Sequence, residues 1–341
     1  MELWGRVCYD THMVLPLLFH LFLFGIATLA LVRATGILIR TLNRLSRSTH
    51  IELFALTGFF SAVATSLPEL FVGISSALSG QSQLALGLVF GSNIANVTLV
   101  AGTVTLVGGG MSVVGDFVKK DVLKAFGAII LPIVLMLDGR LSRFDGFLLI
   151  VTFLLYHVIM FQNRHKYSHE LKQKPFTQIG RWLHGFQKKY QRIQLGWFMF
   201  GIVVLLFSAD IIVRSGSEIA RMLEIPVVLV GLFLVAMGTS LPELAFEIRA
   251  IRKRQVNMVL GDLLGSLVAN STLILGATAI FAPISLHSNE LTYMNSSLAF
   301  LLGFFLLWTF LKTKLFLSRI EGLALISVYL LFFILQIGTV H

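Results

Sequence analysis

Cysteine is nearly absent: Cys8 stands alone in 341 residues, which excludes an intrachain disulfide and any zinc site built from cysteines. Charge is scarce as well. Asp, Glu, Lys and Arg make up 13% of the chain against 56% apolar residues, and the mean hydropathy is +0.85. A soluble domain carries about a quarter charged residues, so this composition indicates a membrane protein. The apolar runs lack the period-two alternation of barrel strands, which leaves helices as the spanning element. No His-Glu-x-x-His motif is present, and Val259-Leu260-Gly261-Asp262 misses the Gly-x-Gly-Asp pattern of intramembrane aspartyl proteases. Neither an enzyme nor a cofactor is expected. The first apolar segment runs into Arg33 and Arg40 rather than a small-residue cleavage site and reads as a retained helix.

A bilayer core about 30 Å thick takes roughly 20 apolar residues per helix. On that measure hydropathy predicts ten spans, at residues 14–41, 54–78, 84–106, 122–137, 144–161, 195–223, 227–248, 258–281, 291–311 and 320–337. The fourth is the shortest. A hydrophilic stretch carrying Lys166, Lys172, Lys174, Lys188 and Lys189 divides the chain into a first five-helix unit (1–161), a basic linker (162–193) and a second five-helix unit (194–341). Arg40, Arg44 and Arg47 follow the first span, and Arg249, Arg252, Lys253 and Arg254 follow the seventh, whereas the alternate loops are nearly neutral. By the positive-inside rule the basic loops and the linker are cytoplasmic and both termini lie outside. The net charge of +10 is thereby assigned to membrane orientation, and nucleic acid is not an expected partner.

An odd number of spans per half reverses the second half relative to the first, the signature of inverted-topology repeats. The fold class expected is an all-α polytopic membrane protein of ten transmembrane helices in two such repeats. The residues carry the repeat too. Residues 60–102 align without gaps onto 234–276 with roughly 18 of 43 positions identical. Thr65-Ser66-Leu67-Pro68-Glu69-Leu70 matches Thr239-Ser240-Leu241-Pro242-Glu243-Leu244, and Gly91-Ser92 with Ala95-Asn96 matches Gly265-Ser266 with Ala269-Asn270.

A proline inside a helix lacks the N–H owed to the carbonyl four residues back, so Pro68 and Pro242 should break their helices and free carbonyl oxygens around Ala64 and Thr65, and around Gly238 and Thr239. Each break is followed at once by a carboxylate, Glu69 or Glu243. An intramembrane carboxylate costs about 3 kcal/mol even on permissive insertion scales, so a matched pair marks a functional site. Hydroxyls of Thr65, Ser66, Thr239 and Ser240 add hard oxygen donors that suit Na⁺ and Ca²⁺ rather than soft metals. Ser92 and Asn96 are four apart, as are Ser266 and Asn270, so each pair shares one helical face and is expected to line the site. Gly87 with Gly91, and Gly261 with Gly265, could also form a packing seam.

Other polar residues read as structural. Asp210 and Arg214 are spaced for an ion pair, Glu247 for a solvated or salt-bridged face beside Arg249, and His20 and His157 for packing or an interfacial position. The Asn-x-Ser/Thr sequences at Asn96, Asn270 and Asn295 fall inside spans, out of reach of glycosylation.

The doubled Thr-Ser-Leu-Pro-Glu block, each copy followed by Gly-Ser-x-x-Ala-Asn, resembles the alpha repeats of the cation/calcium exchanger superfamily, most closely its sodium/calcium exchanger-like prokaryotic members. The resemblance implies one central site that binds Ca²⁺ or several Na⁺, exposed alternately to each side of a prokaryotic inner or plasma membrane. It makes Glu69 and Glu243 the main ligands, with backbone carbonyls of Thr65 and Thr239 on Ca²⁺. Ser66, Ser240, Ser92 and Ser266 would serve flanking Na⁺ positions, helped by the carbonyls of Ala62 and Ala236. Asn96 falls where the family often has Asn, whereas Asn270 departs from the Asp of many members and removes support for a further monovalent cation such as K⁺. The expected partners are the transported Ca²⁺ and Na⁺ and the lipid bilayer, with oligomeric state left open. A Ca²⁺/H⁺ exchanger and a passive cation channel are the alternative functions.

Overall fold

The computed structural model describes residues 2–48, 65–112, 115–167, 189–286 and 290–338. The chain is helical almost throughout. Helix α1 (Glu2–Ser48) is followed by α2 (Leu67–Leu78), α3 (Ser82–Ala95), α4 (Ala101–Gly108), α5 (Gly115–Leu135) and α6 (Arg143–Tyr167). Beyond the linker come α7 (Lys189–Met222), α8 (Val227–Leu229), α9 (Ala236–Thr239), α10 (Leu241–Arg252), α11 (Val256–Val268), α12 (Leu275–Phe281), α13 (Glu290–Lys314) and α14 (Arg319–Gly338). Among the described residues seven helical stretches are long and apolar enough to cross a bilayer, and the bent run from Val227 to Arg252 makes an eighth. Helices α6 and α7 extend beyond the predicted spans into the basic linker, whose middle lies outside the described residues, as does the first part, 54–64, of the span predicted at 54–78.

Burial separates the helices into a centre and a periphery. The span formed by α3 and α4 is 94% buried and that of α11 and α12 is 83% buried, whereas the span in α1 is only 22% buried. Helix α1 packs along α7 through one stripe, Ala27, Leu31, Ala34 and Leu38 against Leu205, Ala209, Ile212 and Val213. Leu15, Phe19, Phe22 and Leu29 on its other faces are exposed. A helix that is apolar all round but buried along a single stripe suits contact with lipid on the rest.

Glycine sets the closest approach at the centre. A Cβ on Gly87 or Gly91 of α3 would stand 2.0 Å from the carbonyl oxygen of Val228 or Leu232, and one on Gly231 would stand 2.2 Å from that of Leu84. Backbones therefore touch where α3 crosses the stretch 227–235, which realises the glycine seam expected of Gly87 and Gly91. Close contacts recur where Gly102 meets Gly322 and where Gly146 meets Gly276.

Two short antiparallel bridges tie loops together: β1 (Met111–Ser112) pairs with β4 (Phe316–Leu317), and β2 (Arg140–Leu141) with β3 (Ile284–Ser285). Each joins a loop of the first half to a loop of the second. The caps are matched in the same way. At the start of α6 the amide and hydroxyl of Ser142 donate to Asp145 Oδ2 at 2.8 and 2.6 Å, and Asp145 N donates back to Ser142 Oγ at 3.3 Å. Ser318 and Glu321 repeat this at the start of α14, at 2.7, 2.8 and 3.3 Å. Both are reciprocal capping boxes. Their sequences, Ser142-Arg143-Phe144-Asp145-Gly146 and Ser318-Arg319-Ile320-Glu321-Gly322, are a second trace of the repeat. A gapless comparison passes over it, because their offset is two residues longer than that of the motif blocks.

Candidate cation site

The helix break precedes the proline. Between α9 and α10 the axis bends by 41° at Ser240, and Pro242 is the second residue of the new helix. Pro68 stands likewise at the second position of α2. In a first turn the N–H has no intrahelical partner, so proline costs nothing there and fixes a favourable φ. Gly238 is the residue whose carbonyl lies four residues before Pro242, which has no N–H to give. Residue 64, its counterpart before Pro68, lies outside the described residues. Each carboxylate is the third residue of its new helix, Glu69 in α2 and Glu243 in α10.

Glu69 is 0% exposed and Glu243 1%. None of their four carboxylate oxygens has a hydrogen-bond partner. The Thr239 hydroxyl and the residue's own backbone N–H lie near the Glu69 carboxylate without the geometry of a bond, and Thr239 instead donates to the Ala236 carbonyl at 3.3 Å. Glu69 and Glu243 are close enough to repel one another. The two halves thus bring their motif glutamates to one place. Among the described residues the ion pairs are Asp138 with Arg140, Asp210 with Arg214 and Glu218 with Arg221, and none involves Glu69 or Glu243. An uncompensated buried carboxylate costs several kcal/mol, on the order of 3 or more.

The other predicted polar residues that the structure describes are all buried as well: Thr65, Ser66, Ser92, Asn96, Thr239, Ser240, Ser266 and Asn270. The hydroxyls of Ser66, Ser92, Ser240 and Ser266 and the amides of Asn96 and Asn270 have no hydrogen-bond partner. Ala236 lies against Gly91, and its carbonyl already accepts the Ser240 N–H at 3.0 Å and the Thr239 hydroxyl. It is less open to an ion than a bare carbonyl. Ala62 lies outside the described residues.

Helical register is altered at the site in both halves. The backbone is π-helical at Asn96–Val100, at Ala269–Ile274 and at Val230–Val235. A π turn widens the helix and leaves a carbonyl short of its usual partner. Thr98 and Thr272 supply one, donating their hydroxyls to the carbonyls of Ile94 and Val268. Both threonines follow the motif asparagines by two residues, a regularity present in the sequence.

Two acidic residues belong here that sequence reasoning placed elsewhere or passed over. Glu247 is 1% exposed, with Oε2 unpartnered and no ion pair to Arg249, which corrects the solvated or salt-bridged face expected of it. The reason is packing: the face of α10 that carries Glu243 also carries Glu247, one turn on, and that face turns inward. Asp262, 2% exposed, accepts the Thr65 hydroxyl at 3.4 Å and faces both Glu243 and Glu247 electrostatically. Asp210 and Arg214 do form the expected pair, at 2.9 Å. His157 is satisfied by the Phe153 carbonyl at 2.8 Å.

Long apolar helices gathered around buried carboxylates define a multi-pass membrane protein. The family described as sodium/calcium exchanger protein matches residues 19–162 and 193–338, and the chain belongs to that family of cation/calcium antiporters. Curated relatives agree. The sodium/calcium exchanger MaX1 of Methanosarcina acetivorans is 25% identical over 333 residues, covering 89% of this chain and 94% of that protein. The inner membrane protein YrbG of Escherichia coli is 27% identical over 226 residues, 65% of this chain and 67% of its own length. The putative antiporter CaxA of Alkalimonas amylolytica is 28% identical over 242 residues, 71% and 74%. Among solved structures the sodium-calcium exchanger NCX_Mj, soaked with Na⁺ and Sr²⁺, shares the fold at a TM-score of 0.62 and 22% identity, over 92% of this chain and 98% of that one.

Proposed function

We propose that the chain is a secondary antiporter that exchanges Ca²⁺ for Na⁺ by alternating access at one central site. The observation that carries this reading is the meeting of Glu69 and Glu243, one from each half, fully buried and with every carboxylate oxygen unpartnered. Two carboxylates balance one Ca²⁺. The hydroxyls of Ser66, Ser92, Ser240 and Ser266, the carbonyls of Thr65 and Thr239, and the amides of Asn96 and Asn270 would complete its shell or hold Na⁺ in its place. Competition of Ca²⁺ and Na⁺ for shared oxygens couples the two fluxes with no covalent step. The relatives named as a sodium/calcium exchanger and a putative antiporter support the choice of cations.

The same reading takes the architecture as ten spans in two inverted five-helix units, 1–161 and 194–341, joined by a cytoplasmic linker at 162–193, with both termini outside. Its support is the exchange of partners between halves: β1 with β4 against β3 with β2, and Gly102 with Gly322 against Gly276 with Gly146. A two-fold axis in the membrane plane generates such reciprocal pairs.

The test is uptake of radiolabelled Ca²⁺ into proteoliposomes loaded with Na⁺ or with choline. Uptake that requires internal Na⁺ is expected. Equal uptake from both, with a response to a pH gradient, would replace Na⁺ by H⁺ as the counter-ion.

A further inference from the structure

We infer that Asn93 is a positioning residue for the cation site: by its hydrogen bond across the two halves to Ser271 it fixes the wide helical turn that presents Asn270. The inference rests on the proposed central site. Asn93 Nδ2 donates to Ser271 Oγ at 2.8 Å, and the two residues are 2% and 1% exposed. Asn93 belongs to α3 and follows Ser92 by one residue, and Ser271 follows Asn270 by one residue in the π-helical stretch Ala269–Ile274. The bond therefore joins the neighbours of two predicted ligands, one from each half. Phe90, Ile129, Pro132 and Phe300 wall it in. In such apolar surroundings a hydrogen bond is stronger than in water, and a polar group that loses its partner is costly.

The turn is what needs fixing. A π turn holds one residue more than the α-helix around it, and a residue that passes from one side of the wide turn to the other rotates by about 100° about the helix axis. Asn270 is the second residue of its wide turn, so a shift of that turn along the chain would swing its amide off the face it shares with Ser266. Tying Ser271 to α3 resists the shift. The tie is one-sided. In the aligned repeat the matching places are Leu267 and Val97, both apolar and 0% exposed, and these two positions give the wide turn Asn96–Val100 of the first half no such tie. The halves are thus alike in their predicted ligands and unlike in how the turns that carry them are held.

Uptake of radiolabelled Ca²⁺ into Na⁺-loaded proteoliposomes by the full chain, read as half-saturating Ca²⁺ concentration and maximal rate, tests this. Asn93→Leu with Ser271→Ala removes both partners at once and leaves neither unpaired, so the melting temperature is expected to hold. The half-saturating concentration should rise about five-fold, the worth of one hydrogen bond, with the maximal rate kept. Ser271→Ala alone, the smaller change, should move it in the same direction. Added to Asn270→Ala, the pair of changes should raise it no further, whereas added to Asn96→Ala it should act in full. An unchanged half-saturation in the paired variant overturns the inference, as does a shift that adds in full to Asn270→Ala or that comes only with a lower melting temperature. Failure of the central reading is distinct: in that case Asn270→Ala itself leaves half-saturation unchanged, whereas if only the inference fails Asn270→Ala acts and the paired variant does not.

Discussion

Glu69 and Glu243 are costly residues in the unliganded fold, and that fixes the signature of their removal. Glu69→Gln and Glu243→Gln keep the shape of the side chain and delete an unpaired buried charge. Each should reduce Ca²⁺ uptake at least about 100-fold, while the melting temperature in the absence of cations stays level or rises, because the desolvation cost of several kcal/mol is lifted. A fall in both would make these glutamates structural. Both residues were legible from Thr-Ser-Leu-Pro-Glu, since proline and carboxylate stand together in an apolar span twice over. Glu247 was not. On a helical wheel it shares the face of Glu243, but it stands near the basic end at Arg249, and only the packing of α10 shows that the covered face extends this far along the helix.

At the scale of elements, α3 depends on glycine for its place. In Gly91→Ala the added methyl would stand 2.0 Å from the Leu232 carbonyl and 2.7 Å from Ala236 Cβ, so α3 must withdraw from the stretch that leads into Thr239. Uptake and melting temperature should both fall. Gly127→Ala is the control. Position 127 of α5 is exposed with open space around it, and alanine there should hold or raise stability, by about 0.5–1 kcal/mol. The capping boxes make a paired prediction: Asp145→Ala and Glu321→Ala should each cost about 1 kcal/mol, measurable as a lower denaturation midpoint, with the ion dependence of uptake unchanged. Hydropathy located these helices well because lipid demands long apolar runs. It could not show the π turns at Asn96–Val100 and Ala269–Ile274, since a register change of one residue leaves composition untouched.

For the whole molecule, the contrast between a buried centre and a loosely buried α1 suggests which part moves. Helix α1 meets the helices of the site, and where it passes α9 a Cβ on Gly238 would lie 3.7 Å from Thr28 Cβ. That spacing suits a disulfide. In a Cys8→Ala background, Thr28→Cys with Gly238→Cys should cross-link on oxidation and arrest exchange, and reduction should restore it. Undiminished uptake in the oxidised protein would mean that α1 and α9 travel together.

The sequence by itself determined the membrane class, the position of most helices and the doubled motif, because each is written in local terms: apolar length, basic loops, a proline before a carboxylate. It also held the matched Ser-Arg-x-Asp/Glu-Gly caps, hidden by a shift of offset. Only the tertiary structure decided which polar residues share the centre. Burial is a property of neighbours, and the neighbours of Thr65 and Glu243 include Asp262, some 200 and 20 residues away along the chain. Through that contact a pair of carboxylates became a group of four.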